Sequence, residues 1–153
     1  MAATTTANHL NTLSEVKLLD FDPDTGSDAY VNLDNVTPAA GVPIANFRRF
    51  RAIVKPTVGT GGLTAFSIGG ATDAAGTGYV AAVAHAVGST PDAVNDQLTL
   101  ECAADQIREV VSGATHVLVL INLVTSTDEA CVMFERAEPF YGPRHGLTAD
   151  YVS

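Results

Sequence analysis

Short stretches rich in Val, Ile, Leu, Phe and Thr, cut apart by glycines and prolines, constrain this chain more than any other feature. Turn signals recur about every eight to twelve residues, and several of the stretches alternate apolar and polar residues as half-buried strands do. This pattern predicts seven or eight strands, at residues 15–19, 29–33, 47–57, 63–68, 79–87, 97–102, 115–125 and 131–138. Such an arrangement favours a sandwich or jelly roll over a parallel α/β sheet.

Two segments depart from this alternation. Residues 115–125 are apolar on both faces, which predicts a central strand covered on both sides. In residues 103–112, Ile107, Val110 and Val111 fall at helical spacing before Gly113, which predicts one short helix that crosses between the sheets. We therefore expect an all-β fold, a single antiparallel β-sandwich or jelly-roll-like domain with one short helix.

The predicted domain occupies residues 14–140. Residues 1–13 are small and polar and have too little apolar content to offset their own ordering entropy. We expect them to form an extended N-terminal arm that is flexible or ordered by a partner, and residues 141–153 to form a tail over the surface. Leu10 and Leu13 are the large apolar residues of the arm and are its expected contact residues.

Charge excludes some classes of partner. Seventeen acidic residues against eight Lys and Arg give a net charge of −9, which opposes binding to nucleic acid. No apolar run, including residues 117–121, exceeds six residues, which is far shorter than the roughly 18 residues that a membrane helix requires. Charged residues make up 16% of the chain, against about 25% in ordinary domains. We expect neither nucleic acid nor membrane as a partner.

An acidic turn carries the one pattern that suggests a metal. Asp20, Asp22 and Asp24 have the 1, 3, 5 spacing of a calcium loop, but the glycine falls one place late at Gly26 and Val31 stands where a bidentate acid belongs. A turn with solvated charges is the expected structure. Weak cation binding is left open.

No residue pattern predicts catalysis. Ser67 superficially resembles the serine of a nucleophile elbow, but no helix pattern follows it. Four scattered histidines lack metal-ligand spacing. Cys102 and Cys131 form no Cys-x-x-Cys pair, and the simplest interpretation is two small buried side chains, although a disulfide is left open. We expect no catalytic residues, no metal site, no cofactor and no enzymatic activity.

Arginines cluster in one predicted strand. Along residues 47–57, Arg48, Phe50, Ala52 and Val54 alternate with Arg49, Arg51, Ile53 and Lys55, so one face should be core and the other solvated. On an acidic protein, we interpret the second face as a compact cationic surface that meets an acidic partner. The predicted interface residues are Arg49, Arg51 and Lys55, with Arg48, Leu10 and Leu13.

Three segments carry a resemblance: residues 46–55 (NFRRFRAIVK), residues 106–111 (QIREVV) followed by 114–117 (ATHV), and residues 136–139 (RAEP). Over about residues 40–140 the chain resembles small auxiliary virion structural proteins of tailed bacteriophages, of the capsid decoration or cement type. The resemblance implies a β-rich unit that is made in the host cytoplasm and binds the outer head shell. It also implies contact with the major capsid protein, self-association as a trimer, and no catalytic residues.

Two alternatives remain from the sequence. One is a structural protein at the neck or tail of the virion, which sequence patterns do not separate from a head protein. The other is a free carbohydrate-binding or small hydrolytic β-sandwich. That class requires exposed aromatic side chains or a convergent acid pair, and this chain has no Trp and four Tyr.

The fold class predicts the shape of the far-ultraviolet circular dichroism spectrum. We expect a strand-dominated spectrum with little helical signal, because a single helical segment is predicted. A helix content above about a third, the average of soluble proteins, would contradict the prediction.

Overall fold

The structure is a computed structural model that describes residues 14–21, 28–31, 33, 41–45, 47–58, 62–85, 93–125 and 127–139, with the backbone alone for residues 14–21 and 139. The predicted arm, residues 1–13, lies outside the described residues. The predicted tail, residues 141–153, and the acidic turn between Asp22 and Gly26 do so as well.

The described residues form nine strands and one helix. The strands are β1 (Ser14–Phe21), β2 (Ala29–Tyr30), β3 (Val42–Pro43), β4 (Phe47–Val58), β5 (Leu63–Ala71), β6 (Val80–Ala84), β7 (Leu98–Ala103), β8 (His116–Leu123) and β9 (Glu129–Pro139). The helix, α1, is Ala104–Val110.

Two antiparallel sheets form a sandwich. The four-stranded sheet has the order β1-β9-β4-β7, and the five-stranded sheet has the order β2-β8-β5-β6, with β3 also paired to β8. Apart from the short strand β3, this order matches that of a jelly roll, in which the first strand pairs with the last. The predicted all-β sandwich with one short helix is confirmed within the described residues.

Two features of the topology did not follow from the sequence pattern. β1 and β2, which are consecutive in the chain, lie in different sheets. A further short strand, β3, lies between the predicted strands at 29–33 and 47–57, and its residue Val42 pairs with Val117 and is buried. A strand of two residues is too short to show alternation, which explains why the pattern does not reveal it.

The core lies between the inward faces of the two sheets. Phe50, Ala52 and Val54 of β4 are fully buried, as the alternation of that strand predicts. From the opposite sheet, Val117, Val119, Ile121 and Leu123 of β8 are also fully buried in the same cluster. The ring of Phe50 stacks on that of Phe134 of β9, with 6.3 Å between the ring centroids.

Helix α1 carries the chain from β7 in one sheet to β8 in the other, as predicted. At its start, the side-chain oxygen of Gln106 accepts a hydrogen bond of 2.8 Å from the backbone N–H of Ala103. The fully buried side chain of Ile107 lies against Gly70 of β5. A Cβ at Gly70 would stand 2.4 Å from Ile107 Cγ2, so the helix approaches this closely only because residue 70 is glycine.

Strand β8 is covered on its outer side as well. Leu118, which alternation directs away from the core, is fully buried. Gly41 lies over it, since a Cβ there would be 3.0 Å from Leu118 Cγ. The backbone N–H of Gly41 donates to the carbonyl of Ala74, which ties this segment to the loop between β5 and β6. The prediction of a central strand covered on both faces is therefore confirmed.

The two cysteines lie on opposite sides of the four-stranded sheet. Cys102 is buried between the sheets, whereas Cys131 is half-buried on the outer side, and the two form no disulfide with each other. The open question of a disulfide is thereby answered, because a sheet separates the two side chains. Burial raises the pKa of Cys102 to about 12. The expectation of two buried cysteines holds for Cys102 only.

Val119→Asp should prevent folding, because an unpaired carboxylate at this fully buried site costs several kcal/mol on the order-of-magnitude scale for buried ions. The matched control is Val124→Asp, just beyond the end of β8, where the side chain is 47% exposed. We expect the control to change the free energy of unfolding by no more than about 0.5 kcal/mol. Denaturant unfolding followed by circular dichroism measures both, and equal effects of the two changes would contradict the position of the core.

Candidate interface on the outer face of strand β4

The predicted interface residues of β4 lie on the outer face of the four-stranded sheet. Arg49 and Lys55 are exposed there, and Arg51 and Ile53 are half-buried. This side of β4, defined by these four residues, is called the arginine face below. Arg48 is exposed as well, at the beginning of the strand. Leu10 and Leu13, the other predicted contacts, lie outside the described residues.

Glutamates from both neighbouring strands flank the arginines. Arg51 is in register with Glu101 of β7 on one side and with Glu135 of β9 on the other. Its guanidinium forms an ion pair with Glu135, whose side chain is 19% exposed. Arg49 reaches diagonally across the sheet and donates a 2.7 Å hydrogen bond from Nη1 to Glu101 Oε1. The charges thus form a ladder of opposite signs across three strands.

A third glutamate completes this ladder from the end of β9. The Nε of Arg49 lies 3.0 Å from Glu138 Oε1. Simple alternation from Glu135 would direct residue 138 toward the inner side of the sheet. Glu138, however, has a φ of 55°, in the left-handed region that few residues other than glycine adopt. This break in the alternation lets the carboxylate meet Arg49.

The arginine face is therefore not a cationic patch, and that prediction is wrong. The charges of Arg49 and Arg51 are opposed by those of Glu101, Glu135 and Glu138, and with Lys55 the three cations are balanced by three anions. The hydrogen bond from Glu101, followed by the charge of Glu138, raises the pKa of Arg49. Glu101 is 52 positions from Arg49 and Glu135 is 84 positions from Arg51, so the residue pattern of β4 alone does not reveal these partners.

Two shallow depressions adjoin the ladder. The first, of about 240 Å³, lies over Arg51 and Glu135 and extends to Glu101. The second, of about 410 Å³, lies over Arg48 and Asp105, and both depressions are bordered by Arg49 and Glu138. Both are open to solvent, and their form suits contact with another surface better than enclosure of a small ligand.

Sequence patterns could have identified part of this arrangement. Glu101 alternates with Leu100 and Cys102, so its place on the solvated side of β7 follows from the pattern. Neither the register that brings Glu101 to the arginines nor the left-handed turn at Glu138 has such a signal. The stacking of the Arg136 guanidinium on Phe47, 4.7 Å from the ring centroid, also depends on tertiary packing.

The other sequence candidates do not form a catalytic or metal site within the described part of the chain. Ser67 lies in the middle of β5, not at a turn into a helix, and its hydroxyl is 2.8 Å from that of Tyr79. Burial raises the pKa of Tyr79 to about 12. Among these residues, no group of three or more His, Cys, Asp and Glu could hold a metal ion. His9 and His145 lie outside them.

Comparisons with known proteins assign no family. No family model matches the chain, and no curated protein matches it. Among solved structures, the chain is similar to one of the Bacillus endospore appendages, described as a novel family of disulfide-linked pili. The similarity has a TM-score of 0.43 and 13% sequence identity, and it covers 82% of this chain and 86% of the other. In the described residues, no helix is both long enough and apolar enough to cross a bilayer.

The ion pair between Arg51 and Glu135 should contribute to stability. Arg51→Ala leaves a mostly buried carboxylate without its cation, and we expect a loss of about 1 kcal/mol in the free energy of unfolding, the upper end of the range for exposed pairs. In the background of Glu135→Gln the same change should cost much less, and high salt should reduce the difference. Denaturant unfolding of the four proteins measures this coupling, and additive effects would contradict it.

Proposed function

We propose that this protein is a bacteriophage virion structural protein that binds the outer head shell as a capsid decoration or cement protein. In this function it stabilises neighbouring subunits of the major capsid protein and associates with copies of itself, as a trimer. The position is the capsid surface after synthesis in the host cytoplasm. A position at the neck or tail is the alternative. The observation that carries the proposal is a pair of sheet surfaces, one on which Arg49 and Arg51 are paired with glutamates and one whose strands contain no Asp, Glu, Lys or Arg.

The arginine face supplies the first of these surfaces. Its guanidiniums already have carboxylate partners, so a partner that covers them does not bury an unpaired ion. The three glutamates remove the net positive charge that the sequence pattern predicted for this face. The half-buried apolar residues Ile53 and Met133 lie beside the ladder on the same outer side and add area that a partner can remove from water.

The five-stranded sheet supplies the second surface. Its five strands contain no Asp, Glu, Lys or Arg. Charged residues are depleted and tyrosines are enriched at the cores of protein interfaces. Tyr30 and Tyr79 meet edge to face at this sheet, with ring centroids 5.3 Å apart. A charge-poor surface on a protein of charge −9 fits a unit that is covered by a lattice and by copies of itself.

Binding to capsids tests the proposal directly. Purified protein is mixed with head shells that lack it, and the bound fraction is measured by cosedimentation over a range of protein concentrations. We expect saturable binding at a fixed ratio of protein to capsid subunit, together with greater resistance of the shells to heat. Isolated tails are the parallel sample, and binding to tails in place of shells would favour the alternative position. Binding to neither would contradict the proposal.

Variants locate the contact. Arg51→Ala should weaken shell binding by about 2 kcal/mol or more if the pair is desolvated in the contact, since Glu135 is then buried without its cation. Arg49→Ala and deletion of residues 1–13 should weaken it as well. Arg108→Ala is the matched control, because this exposed arginine on α1 pairs only with its neighbour Asp105 at 3.3 Å among the ion pairs of the described residues. If Arg49→Ala and Arg51→Ala weaken shell binding no more than Arg108→Ala does, the contact does not lie on the arginine face.

A further inference from the structure

The edges of the two sheets differ in how they are protected. An edge strand presents unpaired backbone N–H and C=O groups, and proteins usually protect such a strand with short length, proline, a bulge, charged residues or a covering element. The four-stranded sheet ends in β1 and β7. The five-stranded sheet ends in β6 on one side and in β2 and β3, both along β8, on the other.

Three of the four edges are short, bulged or covered. β6 and β7 lie against each other where the two sheets meet, and α1 packs on both. β5 and β6 also shift register between Ile68 and Gly69, which marks a bulge at that edge. On the other side, β2 and β3 are two residues long, and Pro43 has no backbone N–H to offer a further strand.

β1 is protected by charge alone, at Glu15, Lys17 and Asp20, which opposes pairing with strands whose charges do not match. It runs for eight residues and pairs with β9 at every position from Ser14 to Phe21 without a register shift. Among the described strands, β9 is its one partner. In an antiparallel ladder, every second residue directs its N–H and C=O groups to one side, so the groups that do not face β9 point away from the sheet. The edge is long, regular and free of proline.

The sequence of β1 complements itself in one antiparallel register. When two copies pair about Val16, position 15 of each stands opposite position 17 of the other, and these positions carry Glu and Lys. Positions 15 and 17 lie on the same side of a strand. In this register the inner face of one four-stranded sheet therefore continues into the inner face of the other. Pairing about Lys17 would oppose two lysines, and pairing about Leu18 would leave Lys17 opposite Leu19. Opposite charges across a strand pair are favourable, and like charges are not.

We propose that β1 is a homotypic contact, in which the β1 strands of two copies pair antiparallel about Val16 and join their four-stranded sheets into one. The symmetry of such a pair is two-fold, which makes the contact closed and self-limiting. The contact requires no capsid and goes beyond the proposed function. Where trimers also form through another surface, each trimer has three such edges, and the contact joins neighbouring trimers to one another.

Charge reversal at the two facing positions tests the register. By sedimentation velocity, the full chain should associate through this contact, and Glu15→Lys and Lys17→Glu should each weaken association by about tenfold or more, because each creates two like-charged pairs. An equimolar mixture of the two variants should associate again, since every Lys then faces a Glu. The double variant Glu15→Lys with Lys17→Glu should recover as well.

Controls separate this contact from general charge and from misfolding. Arg108→Glu and Glu109→Lys make the same charge changes at exposed positions of α1 and should leave association unchanged. Thermal unfolding of each variant is measured, because Glu15 is in register with Arg136 and its replacement also changes a pair within the sheet. Lys17 is in register with Phe134, so Lys17→Glu is a second variant that does not change a charged pair in this register. A full chain that shows no such association at high concentration, or variants that do not recover on mixing, would overturn the inference. Neither result depends on shell binding, so the proposed function stands or fails separately.

Discussion

Burial of alternate side chains of β4 against those of β8 is the interaction on which the rest of the structure depends. Phe50, Ala52 and Val54 are fully buried, in one cluster with Val119 and Ile121. Because side chains alternate along a strand, this burial also fixes which residues of β4 face outward. The position of Arg49 and Arg51 on the outer surface is thus a consequence of the core. A shift of β4 by one residue would place both guanidiniums between the sheets.

The close approach of α1 to β5 is a second constraint, and it restricts which residue can occupy position 70. The helix must pass from one sheet to the other, and it seals this part of the core with Ile107. Any side chain at residue 70 would collide with Ile107, so a residue without a Cβ is needed within β5, one position before its end. Glycine normally weakens a strand. Here the weakness is offset by the apolar surface that the helix buries.

Patterns local to one strand were readable from the sequence, and relations between strands were not. The alternation in β4, β7 and β9, the two-sided apolar run of β8 and the helical spacing in α1 all appear in the structure at nearly the predicted positions. The electrostatic character of the arginine face did not follow, because Glu101 and Glu135 reach Arg49 and Arg51 only through a register set by the whole sandwich. Glu138 required a left-handed backbone for which the sequence has no marker. β3 is too short to carry a periodic signal.

The pairing of β1 with β9 has a consequence for the order in which the molecule is made. β1 is synthesised first among the described strands, and its partner β9 is the last of them. The four-stranded sheet therefore cannot close until Pro139 has left the ribosome. Pairings between distant segments carry a large loop-closure entropy and slow folding. During synthesis the backbone groups on both sides of β1 stay unpaired until β9 is available. Among the described strands, β1 is therefore exposed longest to other nascent chains.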